Sequence, residues 1–420
     1  MHRVVVTGLG FISSIGNSKS AVADSLRQLK HGFGPFPARE NESVPVKLIG
    51  TIKEFDTTSS DSDDWSYPDR YPIKRAHRKT MAPHVLYSHC AALDAITDAG
   101  LSLEEISNPD TGLYSASAGS PGLQSEQMYI LNHKGLKKTS PFAVVTSTVG
   151  TINFNLCASL KIKGSVCGMA SACASAAHSM GFAHDEIRLG RQKRMLVIGA
   201  EDGNRESVLP FAVMRALSGK ENPEEASCPF DRKRSGFVGT GGATALILES
   251  AEEAEARGAR IYAEFTSWGQ AGDGFNPAMS HPEGVGLIRA MENALSAGEI
   301  SCDSIDYINA HGTSTQVGDL SEIRAIKAVF SDKSAKPAIS STKALTGHGL
   351  SLAGALEAGI CCLAIHEGFT PGSAHITEID PEAEDLNILR ETASYGPALA
   401  LSNSSGFGGA NVSLIFKKNS

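Results

Sequence analysis

The chain has 420 residues, 41% of them hydrophobic, and its 38 Lys and Arg against 46 Asp and Glu give a formal net charge of −8. That length and apolar content suit two domains or one large duplicated unit with a substantial core, and the acidic balance excludes a general nucleic-acid binder, which would carry a broad basic face. The eight cysteines are scattered, with no Cys-x-x-Cys pair or compact framework, as expected of a reduced, cytoplasmic chain.

In chain order, Val4–Val6 is a β-branched run ended by Gly8-Leu9-Gly10, the pattern of a buried strand and turn, not of a signal peptide. Gly8-x-Gly10 is a weak dinucleotide signal, because Ser13 stands where the third glycine belongs. Ala21–Leu29 has helical spacing. Residues 36–72 are rich in Pro, Ser and Asp, most polar at Ser59–Asp64, and read as a surface excursion. Lys74–Ala99 reads as largely helical, with a basic start at Lys74, Arg75, Arg78 and Lys79. Gly112–Ser115 is a strand leading to the small-residue loop Ala118–Gly122. Met195–Ala200 and Ala243–Glu249 are further strands, and the charged helix Ala251–Arg257 with Gly258 marks a boundary.

A second series follows: strand Ile261–Thr266, helix Gly286–Leu295, strand Tyr307–Ala310, helix Leu320–Phe330, strand Ala338–Ser341, and a helix after His348. Ala398–Leu401 and Val412–Phe416 close the chain around a Gly406–Gly409 turn. No stretch is expected to be long and apolar enough to span a membrane. Cys361-Cys362 and Cys167 are expected in the core. The halves 1–250 and 251–420 look alike. Each alternates strands and helices, and each has a reactive residue just before a small-residue helix, Cys173 in one and His348 in the other. This pattern predicts a duplicated α/β unit with both copies facing one site.

Three motifs carry chemistry. Cys173 lies in Ser-Ala-Cys-Ala-Ser-Ala-Ala-His (171–178), where a helix N-terminus would favour the thiolate and small neighbours would admit an acyl chain; a buried structural cysteine is the alternative. His311 opens His-Gly-Thr-Ser-Thr-Gln-Val-Gly-Asp at a strand end, where α/β folds place function, and Thr313 and Thr315 could bond an amide-rich substrate arm. His348 follows Thr346-Gly347, five residues after Lys343, which could set local charge; a neutral imidazole there can donate to a developing oxyanion. In Gly406-Phe407-Gly408-Gly409 a backbone N–H could complete an oxyanion hole and Phe407 could gate a pocket, or the stretch is a hairpin with a core Phe. No His-x-x-x-His or Cys-x-x-Cys spacing supports a metal site.

Together these motifs resemble the β-ketoacyl-acyl-carrier-protein synthases of the thiolase-like superfamily, over nearly the whole chain from Val4–Gly10 to Asn403–Asn411, and most closely the bacterial type I elongating branch. The resemblance implies a thiolase-like duplicated five-layered αβαβα fold and a decarboxylative condensation. Cys173 would take the acyl group from a carrier protein. His311 and His348 would hold the thioester oxygen of the malonyl unit, and the N–H groups of Cys173 and Phe407 the tetrahedral oxyanion. Lys343 matches the family's essential lysine, and Glu357 and Glu322 its buried acidic partners. Thr313, Thr315, Ser405 and Gly408 match substrate-binding positions. No tightly bound cofactor is implied beyond the phosphopantetheine arm of the carrier.

The same likeness implies an acyl carrier protein as partner, docked on Lys74, Arg75, Arg78, Lys79, Arg215 and Lys220, although an ordinary solvated face is the alternative for that helix. It implies a homodimer, with a heterodimer of homologues as the other form, and no nucleic-acid or membrane partner. Some positions depart from the family: Ser405 replaces a Phe, Gln316 a Pro, Ser351-Leu352 a Gly-Ala pair, and the excursion at 36–72 is long. These motivate a second reading, a ketosynthase of a type II polyketide or polyene pathway, paired or not with a non-catalytic homologue. A degradative thiolase would need a second reactive cysteine near the C-terminus, and an initiating ketosynthase would show Cys-His-Asn.

Overall fold

The structure, a computed structural model, describes residues 1–38, 42–330 and 336–419; residues 39–41 of the 36–72 excursion lie outside the described residues. The strands are β1 (Val4–Ile12), β2 (Phe33–Pro35), β3 (Leu48–Gly50), β4 (Thr111–Ala116), β5 (Val166–Met169), β6 (Arg194–Glu201), β7 (Gly242–Ser250), β8 (Ala263–Gly272), β9 (Tyr307–Asn309), β10 (Ala338–Ser340), β11 (Leu399–Gly406) and β12 (Ala410–Lys417). β2 and β3 form a small separate ribbon, and the other ten form one sheet in the order β10-β9-β11-β12-β8-β1-β7-β6-β4-β5.

That order is one pattern used twice. In each half the strand that begins it lies innermost, pairs antiparallel with the half's last strand, and that in turn pairs antiparallel with the fourth. The fourth then pairs parallel with the second, and the second with the third. Within the sheet, among the described residues, the halves pair through β1 and β8, at Val5 opposite Glu264 and Val6 opposite Ala263.

Five layers result. The helices Ser175–Arg188 and Ala353–Glu367 pack on each other and between the two half-sheets, Pro83–Asp98 covers the outer face of β1, β6 and β7, and Val285–Ala297 covers β8 and β12, with Gln316–Phe330 behind it. The central helices run close because a Cβ on Gly354 would lie 2.6 Å from Ala177 N. Thirteen residues of Ala353–Glu367, Ala353 to Ile365, are buried, as suits a helix that is apolar all round.

The fold corrects several readings of the sequence. Leu350–Glu367 is long and apolar enough to cross a membrane, with mean hydropathy 1.4, but 89% of it is buried inside the protein, where it forms the central layer. β1 does not turn at its glycines: it runs through them to Ile12, and they serve the approach of the Pro83–Asp98 helix, whose Ala95 and Ala91 carbonyls would collide with a Cβ on Gly8 or Gly10. The stretch Lys74–Ala99 is broken into Arg75–Arg78 and Pro83–Asp98, because Pro83 opens a new helix at its first turn. The excursion after Pro35 buries Phe36, Val46, Ile49, Trp65 and Tyr71 and so is not merely superficial. Cys361 and Cys362 are core residues, whereas Cys167 is exposed on the edge strand β5.

Gly10→Ala is expected to destabilise the protein by about 1–3 kcal/mol through this helix–strand clash. An unchanged thermal unfolding midpoint would show that the helix can shift outward at no cost.

Candidate active site

After β5 the chain reverses through Ser171-Ala172 into the helix Ser175–Arg188. Ala172 is held in the left-handed region (φ 50°), a strained conformation for a residue with a Cβ. The turn is fixed by Ala174 N–H to Ser171 O (3.1 Å), Ser175 N–H to Ala172 O (3.2 Å) and Ser171 N–H to Ser175 Oγ (2.7 Å). Cys173 is thereby presented at the N-terminal end of a central helix. Gly406 packs against the same turn: a Cβ there would come 2.5 Å from Ser171 O and 3.2 Å from Cys173 N, so only glycine lets β11 deliver the Phe407 peptide beside the cysteine amide.

The second half supplies the partner in the equivalent place. The short helix Lys343–Thr346 ends at Gly347 (φ 75°), and His348 follows, its N–H donating to Val238 O (2.7 Å) and its carbonyl accepting from Thr240 N (3.1 Å). This places His348 Nε2 3.1 Å from Cys173 Sγ. The rings of His311 and His348 meet edge to face at 5.3 Å, and Phe237 abuts His348 at 5.0 Å and 90°. Lys343, 2% exposed, is ion-paired with Glu357 of the Ala353–Glu367 helix.

His311 is fixed through its backbone. Glu322 accepts from His311 N–H (2.9 Å), Gly312 N–H (2.7 Å) and Asn403 Nδ2 (3.2 Å). Of the two buried acids matched to Lys343 by family likeness, Glu357 is thus the contact partner, and Glu322 is a positioning residue for His311. Thr313 and Thr315 Oγ1 lie 3.0 Å apart on the loop that follows. That loop is clamped by the buried Arg234, which donates to Thr315 O and Gln316 O (3.2 Å each) and to Asp380 Oδ2 (2.7 Å). Gln316 answers by donating to Arg234 O at 2.6 Å, so its side chain holds the loop where the family places a proline.

Burial dominates the protonation states. It holds both His311 and His348 well below the ordinary imidazole value, and the Lys343 charge presses in the same direction. It pushes the Cys173 thiol up to about 12, with Lys343 pulling the other way. Burial likewise pushes Glu322 up, and Glu357 against the pull of Lys343. The helix N-terminus favours a thiolate, as the sequence suggests, but desolvation outweighs it here. The resting site is therefore a neutral thiol facing two neutral imidazoles, and a sulfur that must become a nucleophile has His348 Nε2 at hand to receive its proton.

A pocket of about 590 Å³ opens onto these groups, lined by Cys173, His311, His348, Thr313, Thr315, Ser405 and Phe407, with Arg215 also on its lining. Phe407, 38% exposed, sits 5.8 Å from Phe211, which stands 5.6 Å from Phe237, so an aromatic wall runs from the mouth to His348. Ser405 Oγ donates to Asn411 Oδ1 (2.8 Å). Gly408 does not line the pocket: it shapes the gate hairpin in a left-handed turn (φ 80°), its N–H donating to Pro277 O (2.9 Å). Lys220 also lies off the pocket, 3.7 Å from Glu225. Lys74 is exposed, whereas Arg75, Arg78 and Lys79 converge on Asp63.

The structure adds residues that no motif signalled. Phe211 and Phe237 shape the pocket and Arg234 clamps its loop. Glu201, fully buried at the end of β6, is pushed up to about 7 by burial and its neighbour Asp202, and its field opposes ionisation of Cys173. The signal available for Glu201 was an acidic pair, Glu201-Asp202, ending an otherwise apolar strand.

Family models for the beta-ketoacyl synthase N-terminal and C-terminal domains match residues 1–254 and 262–377. The chain is 39% identical over 424 residues to the 3-oxoacyl-(acyl-carrier-protein) synthase 1 of Haemophilus influenzae, covering 100% of this chain and 99% of that one. A solved beta-ketoacyl synthase from Burkholderia phymatum STM815 matches with a TM-score of 0.91 at 30% identity, and each chain is covered in full (100%). A ketosynthase bound to the hexaketide, in a complex with its type II PKS acyl-carrier protein, matches with a TM-score of 0.88 at 27% identity, again with 100% of both chains covered.

With both imidazoles already neutral, the activity of the site is expected to show no acid limb from them between pH 8 and 6. Loss of neutral donors begins only as pH falls through their lowered values. Lys343→Met removes the cation that presses those values down, so the acid limb of its residual activity should move toward neutral. A wild-type limb near the ordinary imidazole value would contradict the burial argument, and pH–rate profiles of the two proteins decide it.

Proposed function

Because the chain belongs to the β-ketoacyl synthase family, we propose that it works as a β-ketoacyl-acyl-carrier-protein synthase of fatty-acid elongation, an acyltransferase that condenses malonyl-carrier protein with an acyl group held on Cys173. The observation that carries this reading is the 3.1 Å contact between Cys173 Sγ and His348 Nε2, with His311 beside it in one desolvated pocket. In the first half-reaction the thiol gives its proton to His348, and the sulfur attacks the acyl thioester. The carrier's phosphopantetheine thiol leaves with a proton. The carrier arm enters past Thr313 and Thr315.

In the second half-reaction the malonyl carboxylate leaves as carbon dioxide. The electron pair of that C–C bond forms an enolate, whose oxygen accepts hydrogen bonds from the two neutral imidazoles, His348 being in this half-reaction the tautomer that carries its proton on Nε2. The enolate carbon attacks the acyl carbon on Cys173, and the tetrahedral oxygen is held by the N–H groups of Cys173 and Phe407. Collapse breaks the C–S bond and expels the Cys173 thiolate, which takes from solvent the one proton that decarboxylation leaves the reaction short of. Burial keeps the imidazoles neutral, and Lys343, too buried to meet substrate, adds to it with its charge.

A ketosynthase of a polyketide or polyene pathway is the second reading. It is favoured by Ser405, which leaves more room at the pocket than a phenylalanine would. For assembly we propose a homodimer through the edge strand β5, where the apolar Val166 is 44% and nearby Phe154 52% exposed. A reducing, cytoplasmic setting suits the eight unpaired cysteines.

Intact-mass analysis after incubation with a panel of acyl-carrier proteins should show an acyl adduct on Cys173. Addition of malonyl-carrier protein should consume it as a ketoacyl product two carbons longer appears. Cys173→Ser should form no acyl adduct while keeping its fold, and elongation by this variant at the wild-type rate would overturn the mechanism. Ser405→Phe should shift the acyl-chain preference; an unchanged profile would remove Ser405 from the argument about pathway.

A further inference from the structure

The row of cations at Lys74–Lys79 does not present four free charges. Asp63 accepts from Arg75 Nε (3.0 Å) and Arg78 Nη2 (3.0 Å), and Lys79 Nζ lies 3.8 Å away. The side chain of Asp63 is 24% exposed, so the carboxylate is partly shielded beneath the guanidinium groups. Arg75 and Arg78 hold it far below the ordinary carboxylate range.

The turn that carries this acid is a built element. Asp63 lies in a single helical turn, Ser62–Asp64, whose cap is Asp61, with Asp63 N–H donating to Asp61 Oδ1 (2.9 Å). Ser59 Oγ donates to Asp64 Oδ2 (2.8 Å), and the indole of Trp65 donates to Ser59 O (2.7 Å). Trp65 itself is 6% exposed, so the turn is anchored in the core behind it. Asp63, flanked by Asp61 and Asp64, is thus held in a fixed pose against Arg75, Arg78 and Lys79.

We propose that the acidic turn Asp61–Asp64 is an intramolecular competitor for this basic surface, occupying the place of an acid from an incoming acidic carrier protein. The inference rests on the carrier-dependent reaction proposed above. Docking on this face exchanges Asp63 for a partner carboxylate, so the gain per charge pair is only the difference between two similar ion pairs. That lowers the affinity for the carrier and makes it depend on how many acids the carrier presents together. The chemistry inside the pocket is untouched, because no residue of the turn lines it.

The test compares wild type, Asp63→Asn and Asp63→Glu with octanoyl- and malonyl-carrier protein, and with the same acyl groups on coenzyme A. Asp63→Asn is expected to lower the KM for the carrier substrates by about two- to fivefold with kcat unchanged, the upper part of the span for single exposed charge pairs. Asp63→Glu, which keeps the charge, should stay near wild type. Adding Arg75→Ala to Asp63→Asn should cancel the gain. Turnover of the coenzyme A substrates should be equal in all variants, which also shows that each is folded. An unchanged or raised KM for the carrier in Asp63→Asn, with equal coenzyme A turnover, overturns the competitor and leaves the reaction standing. If wild type turns over neither class of substrate, the reaction reading falls, and the inference with it.

Discussion

The close packing of two helices in the central layer sets everything else. Cys173 and His348 are 175 positions apart in the chain, yet Sγ and Nε2 lie 3.1 Å apart because each residue occupies the turn leading into one central helix. The helices approach because glycine and alanine meet at the crossing: Gly354 lies against Ala177, and Gly199 of β6 against Ala176 and Ala355. Large side chains at those positions would move the two helix starts apart, and with them the sulfur and the ring. The small-residue runs around Cys173 and after His348 thus serve packing first, and room for an acyl chain follows from it.

The same packing makes the site dry, and dryness sets its electrostatics. A cation buried with one carboxylate, Lys343 with Glu357, places a fixed charge next to two imidazoles that cannot afford a second. Both rings stay neutral donors, and the thiol stays protonated until substrate arrives. Charge therefore develops only along the reaction, where groups already in place can meet it without reorganisation. Glu322 and Arg234 contribute by holding the backbone of the His311 loop from behind, outside the reacting atoms.

The three groups that the structure gathers in the pocket were legible in the sequence, because each stands among neighbours of a restricted kind: small residues around Cys173, a strand end and hydroxyls at His311, a glycine turn at His348. The duplication was legible as alternating elements, though the identical strand order of the two halves could be seen only in the sheet. What escaped depends on approach across space. Gly8 and Gly10 look like a turn, but they are the floor on which Pro83–Asp98 lies. Cys167 looks like core until β5 is placed at the sheet edge. No spacing tied Phe211, Phe237 and Arg234 to the site: the folded loop of residues 228–238 brings Phe237 to His348 and Arg234 to Thr315, and the helix Pro210–Val213 brings Phe211 against Phe237 and Phe407. The basic start at Lys74 was legible as charge, while the pairing of Arg75 with Asp63, twelve residues earlier, was not.

Where this chain departs from its family follows a physical division. Gln316 at a helix start and Ser405 at the end of β11 lie on the pocket lining, and both side chains are absorbed into local hydrogen bonds, to Arg234 O and to Asn411 Oδ1. The acidic turn alters a surface that no reacting atom touches. Interior positions near Cys173 are coupled through shared contacts and a common field, so change there disturbs several groups at once. A surface ion pair is worth little and is screened, so an added loop can trade charges there freely. Partner recognition in such an enzyme can therefore drift by small electrostatic steps, while the thiol, the two imidazoles and the buried lysine stay bound to one geometry.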